Sequence, residues 1–186
     1  MPDSAKRPPG RPPSEESHAA LLDAAWWRLL ESGYAEVTVG AIAKAAGAGK
    51  QTIYRRWPNK AALVVDALAA KRAERIDRPK EAAVKKGDIL AFLKAELAGL
   101  KPYASSLPAL FADAQADPQT AEAFRAAMVA PRQAALREVL ASASADPKIR
   151  DALVEAIDGA IWRRIFLGEP LDEAFAAQMA RLAGRR

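Results

Sequence analysis

Apolar positions along the chain recur every third or fourth residue, the repeat of a helix with one buried face. From Glu15 onward Leu22, Trp26 and Leu29 follow one another at spacings of four and three, with Ser14 placed to cap the start and Gly33 suited to a left-handed C-terminal cap. Thr38 then offers an N-cap to VGAIAKAA, whose Val39, Ile42 and Ala46 share one face, and Gly47 stops that segment. A second short helix over residues 49–57 follows a tight turn and ends before Pro58. Asn59 can cap a fourth helix over 60–75, in which Leu63, Ala67 and Ala70 form the stripe that packs back. Two short helices joined by a glycine-containing turn, with a longer support helix before them, describe a helix-turn-helix unit.

Beyond Pro79 the pattern predicts longer helices, about 81–100, 106–115, 118–142, 147–167 and 171–183. Asp117-Pro118 and Asp146-Pro147 each put a capping carboxylate before a proline at the first helical position. Pro131 falls inside the 118–142 pattern and should kink or split it. No strand pattern and no internal repeat interrupt the series. Ala supplies 45 of 186 residues and aromatics only 6%, a composition that favours helix throughout. The expected fold is all-α, about nine helices, in three parts: an arm over 1–14, a helix-turn-helix domain with its connecting fourth helix over 15–75, and a helical domain over 76–186. The arm, MPDSAKRPPGRPPS, holds five of the thirteen prolines and three cations and reads as flexible.

The absence of cysteine excludes disulfides, iron–sulfur clusters and thiol nucleophiles, and the single His18 leaves little for a metal, so no cofactor is expected. Apolar stretches are broken by charge well before the ~20 residues of a membrane span, and the first residues lack the apolar core of a signal peptide. No membrane partner is expected, and the default location is the cytoplasm.

Charge changes the picture most at the front. The chain carries 28 cations against 23 anions, and no Asp or Glu occurs between Glu36 and Asp66, a window that contains Lys44, Lys50, Arg55, Arg56 and Lys60. Such charges often do no more than solvate a helix surface. Here they coincide with the helix-turn-helix segment and are joined by Gln51, Thr52 and Tyr54. On a helix over 49–57, Lys50, Gln51, Tyr54 and Arg55 fall on about half the circumference, and Ile53 and Trp57, four apart, point the other way. A polar face of this kind suits a phosphate backbone and base edges.

VTVGAIAKAAGAGKQTIYRRWPNKAALVVDAL, together with AALLDAAWWRLLESGY before it, resembles the DNA-binding segment of TetR-family transcriptional regulators over residues 11–68. The resemblance rests on Gly33-Tyr34, Thr38-Val39, Ile42-Ala43, Ala46-Gly47, Thr52-Ile53-Tyr54 and Pro58-Asn59-Lys60 in order. It implies that Thr38 clamps a phosphate at a helix N-terminus, that Lys50, Gln51 and Arg55 face base edges, and that Tyr54 and Lys60 bond phosphates. Thr52 shares that face and could meet a phosphate or a thymine methyl. A bidentate Arg or Lys on guanine, or Gln on adenine, is worth ~1–3 kcal/mol of discrimination. The chain departs from the family's common pattern at Gly49, where a capping Ser is frequent, at Gln51 for Gly, at Arg56 for His and at Trp57 for Phe. Arg56 is thereby an added candidate for a phosphate. In the arm, Gly10-Arg11-Pro12 resembles minor-groove hooks, with Arg11 as the inserted side chain.

IWRRIFLGEPLDEAFAAQMARLAG resembles the last two helices of a subgroup of the same family, where they form a dimer interface. The repeats Leu153, Ile157, Ile161, Ile165 and Leu171, Phe175, Met179, Leu182 would supply it, the lesser alternative being that such stripes close a core within one chain. Of these, Leu153, Ile157, Ile161, Ile165, Phe175 and Met179 are the candidate interface residues. Phe92, Tyr103, Leu107, Phe111, Phe124, Met128, Trp162 and Phe166 are the large apolar groups in helices that resemble the family's ligand-binding part, and would line a pocket for a hydrophobic or aromatic effector. The resulting expectation is a homodimeric repressor that binds a palindromic double-stranded DNA operator and is released by a small-molecule effector. The alternatives are an architectural DNA-binding protein without effector response and a transcriptional activator. An enzyme is not expected, since no nucleophile motif, phosphate loop or paired carboxylates stand out.

Overall fold

The computed structural model describes residues 15–72 and 77–184, and it is all-α. The helices in chain order are α1 (Glu15–Glu36), α2 (Val39–Ala45), α3 (Lys50–Tyr54), α4 (Lys60–Arg72), α5 (Arg78–Lys86), α6 (Ile89–Leu100), α7 (Leu107–Ala114), α8 (Pro118–Phe124), α9 (Ala130–Val139), α10 (Pro147–Leu167) and α11 (Glu173–Ala183). The arm over 1–14, with Ser14 and Arg11, and the expected domain boundary at 75–76 lie outside the described residues.

Aspartates set where the later helices begin. Asp117 accepts from Thr120 N at 2.8 Å, Asp146 from Lys148 N at 2.9 Å and Asp172 from Phe175 N at 2.8 Å, each satisfying one of the free N–H groups of a first turn. At Asp117 the Thr120 hydroxyl and amide both bond the carboxylate and hold it below its ordinary pKa. Gly33 takes φ +74 with ψ 161, so it bends α1 near its end rather than forming the expected left-handed cap.

Two expected helices differ. The span 81–100 is broken at Gly87, which takes φ +65 while Asp88 N bonds Ala83 O at 2.9 Å, and Asp88 then caps α6 through Ala91 N. Apolar periodicity continues across that break and conceals it. At Pro131 the chain resolves the missing N–H by a π-helical stretch, Arg125–Val129, which joins α8 to α9.

One apolar core runs from α1 to α11, and α4 is its axis, with α1 on one side and α8 on another. Leu63, Val64, Val65, Ala67 and Leu68 are all buried, a width that exceeds the expected single stripe because both the N-terminal head and the body cover α4. Ala70, placed on that stripe, is exposed. Each fully buried Leu or Val contributes ~1.5–3 kcal/mol, so this helix binds head to body strongly.

The last two helices turn their stripes inward. Ile157, Ile161 and Ile165 of α10 and Phe175 and Met179 of α11, expected at a contact between copies, are buried in the chain's own core, and Leu153 is half-buried. The reason is geometric: α11 packs on α6 and α10 on α7 and α9, and these apolar faces are what they bury. The opposite face of α10 is left outside, with Phe166 48% and Leu167 62% exposed.

Candidate nucleic-acid interface

The turn between α2 and α3 is built locally. Thr38 holds extended φ/ψ and its Oγ1 accepts from Ala41 N at 3.1 Å, so the hydroxyl caps α2 and keeps its own proton available to a further acceptor. Ala48 N bonds Ala43 O at 2.9 Å around Gly47, closing α2. α3 starts at Gly49 without a side-chain cap, which leaves its first N–H groups uncapped by protein side chains.

Ile53 and Trp57 are buried and anchor α3 against the rest of the head, and the indole Nε1 of Trp57 donates to Asp66 Oδ2 at 2.7 Å. Lys50, Gln51, Tyr54 and Arg55 consequently stand exposed together, while Thr52 is half-buried beside them. The stem of Lys50 runs across α2 at Gly40, where a Cβ would lie 3.0 Å from Lys50 Cε.

Two candidate cations are less free than their sequence suggests. Arg56 is half-buried, with its NH1 buried and unpaired by any hydrogen bond. Lys60 donates to the Tyr34 carbonyl at 3.2 Å and sits 4.0 Å above the Tyr34 ring, which leaves other N–H groups of the ammonium for an anion.

Several contacts around this surface gave no signal in the sequence. His18, at the start of α1, stacks on Trp57 with ring centroids 5.3 Å apart. Polar bridges tie this part of the head to the body: Tyr34 N donates to Ser106 Oγ at 3.0 Å, Tyr34 Oη to Asp113 Oδ2 at 2.7 Å, and Asn59 Nδ2 to Thr120 Oγ1 at 3.1 Å. Burial first, and the Asp113 bond second, raise the Tyr34 phenol well above its ordinary pKa, so it remains a donor. Asn59 also caps α4 through Ala62 N at 2.8 Å, so the body holds the start of α4 directly.

In the body, Phe92, Tyr103, Leu107, Phe124 and Met128 are buried in packed core, Phe111 and Trp162 are half-buried, and Phe166 is exposed. Phe111, Phe124, Trp162 and Phe166 touch in a chain of ring contacts 5.5–6.0 Å apart. These four side chains pack on one another. An open groove of about 380 Å³ lies elsewhere, between α5 and α9, with Val84, Pro131, Ala134 and Ala135 as its apolar surface.

Comparison with known proteins decides the family. The sequence model for bacterial regulatory proteins of the tetR family matches residues 21–67, and that for the tetracyclin repressor-like C-terminal domain matches residues 86–183. This chain belongs to the TetR family. Among its relatives, an uncharacterized HTH-type transcriptional regulator, YdeS of Bacillus subtilis, is 28% identical over 91% of this chain and 89% of its own length. The DNA-binding transcriptional repressor TetR of Mycobacteroides abscessus is 30% identical, covering 89% of this chain and 90% of the relative. The crystal structure of the TetR family transcription regulator SCO0332 superposes with a TM-score of 0.70 at 29% identity, covering 92% of this chain and all of that one. This TetR-family protein is therefore a helix-turn-helix, DNA-binding transcriptional regulator. Among its described residues no helix is long and apolar enough to cross a membrane.

Proposed function

We propose that this regulator represses transcription as a homodimer, with one α3 in each of two successive major grooves of a palindromic operator, and that a small effector bound in the body releases it. The observation that carries the DNA-reading part is the α3 face: Lys50, Gln51, Tyr54 and Arg55 stand exposed over the buried Ile53 and Trp57, inside a window without acidic residues. Lys50, Gln51 and Arg55 read bases, while Thr38, Tyr54 and Lys60 hold phosphates, with Thr52 and Arg56 at the edge of the contact. The Mycobacteroides abscessus relative is named a repressor, which supports that sign of regulation. For the dimer, the outer face of α10 with Phe166 and Leu167 is an apolar surface available to a second copy.

The test is selection of bound sequences from a random DNA pool by the purified protein, repeated with Lys50→Ala, Gln51→Ala and Arg55→Ala. A pseudo-palindrome that degrades at defined positions in the variants supports the reading. Absence of any motif, or the same motif from every variant, overturns the reading face and favours an architectural DNA-binding role.

A further inference from the structure

Five ionisable side chains are buried together where α4, α5, α6, α9 and α10 meet: Arg72, Lys80, Glu96, Arg132 and Asp158. A single Glu96 carboxylate serves all three cations. Lys80 is close, at 2.5 Å, but Arg72 reaches Glu96 only at 3.3–3.4 Å and Arg132 at 3.7 Å, against ~2.7–2.9 Å for a well-made charged hydrogen bond. Asp158 is taken by Arg132 Nε and by Gln133 Nε2. Arg72 Nε and both terminal nitrogens of Arg132 are buried and make no hydrogen bond, although one Arg132 nitrogen lies beside Asp158 out of alignment. Among the described residues, three buried cations thus face two buried anions.

The third counter-ion is Asp77, and it is held loosely. Its side chain is 41% exposed and stands 3.1 Å from Lys80 and 3.4 Å from Arg72 Nε. Asp77 and Lys80 also line the groove between α5 and α9, so the groove reaches the cation cluster at Lys80, with Arg72 behind Asp77. Its volume of about 380 Å³ falls within the ~300–1,000 Å³ usual for small-molecule sites. Glu81, Glu138 and Lys85 also line the groove but are exposed, so solvent screens them.

We propose that this groove binds a small planar organic acid, an aromatic carboxylate, whose ring lies on Val84, Pro131 and Ala135 and whose carboxylate replaces Asp77 on Lys80 and Arg72. The inference rests on the effector reading above and names its chemistry. Arg72 stands at the far end of the described α4, the helix that Asn59 caps and Lys60 begins. An acid bound at Arg72 therefore acts on the element that connects body to reading head, and the operator in turn weakens acid binding by the same factor.

The probe is 1-naphthoate, compared by calorimetry on the full-length protein with two isosteres, 1-naphthamide and 1-naphthylmethylammonium. The expected result is that naphthoate binds and the isosteres do not. D77N binds it about fivefold tighter because a competing anion is gone, and K80M binds it about tenfold more weakly or worse, the worth of a charge-assisted hydrogen bond. Addition of naphthoate to the protein on its selected operator releases DNA. Equal binding of all three probes overturns the acid preference and leaves the effector reading standing. No heat from naphthoate with either the wild type or D77N overturns the site, and because D77N alters a half-exposed side chain this result does not depend on K80M folding. Absence of operator binding defeats the regulator reading separately, while the calorimetry still decides the groove.

Discussion

Replacing Arg132 by Met should unfold this protein far more easily than replacing any surface arginine. Arg132 is fully buried on α9, bonds Asp158 of α10 through Nε, and lies over the Trp162 ring at 5.2 Å. Methionine keeps much of the stem volume but leaves Asp158 as a buried anion with Gln133 as its remaining donor at 3.0 Å. Removing one partner of a buried pair costs ~3–5 kcal/mol, chiefly the uncompensated charge. In a chain of this size each kcal/mol is worth ~2–4 °C, so the expected fall in Tm is ~6–20 °C. The double variant R132M/D158L removes both charges and should return to within ~1 kcal/mol of the wild type. Urea unfolding followed by far-ultraviolet circular dichroism, at one protomer concentration for all variants, measures each term. A loss below ~1 kcal/mol for R132M, or a double variant no more stable than R132M, would refute the reasoning.

Acid should loosen the same cluster. Burial alone would raise the Glu96 pKa, but Arg72, Lys80 and Arg132 together hold it below its ordinary value of 4.5. The stability this group contributes is therefore present above about pH 4.5 and is lost as pH falls through its lower folded value, and E96Q should flatten that part of a stability–pH profile. Gly87→Ala should cost ~2–4 kcal/mol, because φ is +65 and the new Cβ would meet Ser142 Cβ at 2.7 Å; a cost under ~1 kcal/mol in urea unfolding would contradict it. Lys60→Met should weaken operator binding without changing sequence preference and make the log–log salt dependence shallower by ~0.9, read from titrations at several salt concentrations. Phe166→Glu should convert dimer to monomer in sedimentation velocity, and an unchanged dimer would place the interface elsewhere.

Much of the helical layout was legible because its determinants are local. Asp117-Pro118, Asp146-Pro147, Asn59 and Thr38 cap helices through bonds to residues two or three positions away, and α10 begins and ends where the pattern put it, at Pro147 and Leu167. The α3 face was legible for the same reason, since five residues of helix fix which side chains oppose Ile53. The break at Gly87 was not, because apolar spacing survives it. Nor were the aromatic side chains of the body assignable to a pocket: a large apolar residue at helical spacing looks the same whether it packs on a neighbour or lines a void.

From its sequence alone this protein is an all-helical regulator with an exposed polar face on α3, a surrounding stretch of sequence free of Asp and Glu, and capped helices behind. Tertiary packing decided which way the stripes of α10 and α11 face, since a stripe records only that one side is apolar and the arrangement of α6, α7 and α9 determines what it meets. It also decided which charges are buried. Arg72, Lys80, Glu96, Arg132 and Asp158 are separated by up to 86 positions and each resembles an ordinary surface charge in its own segment. Likewise Tyr34 finds Asp113 across 79 residues and Asn59 finds Thr120 across 61. Contacts at such separations follow from how whole helices pack, and no local pattern of polar and apolar positions encodes them.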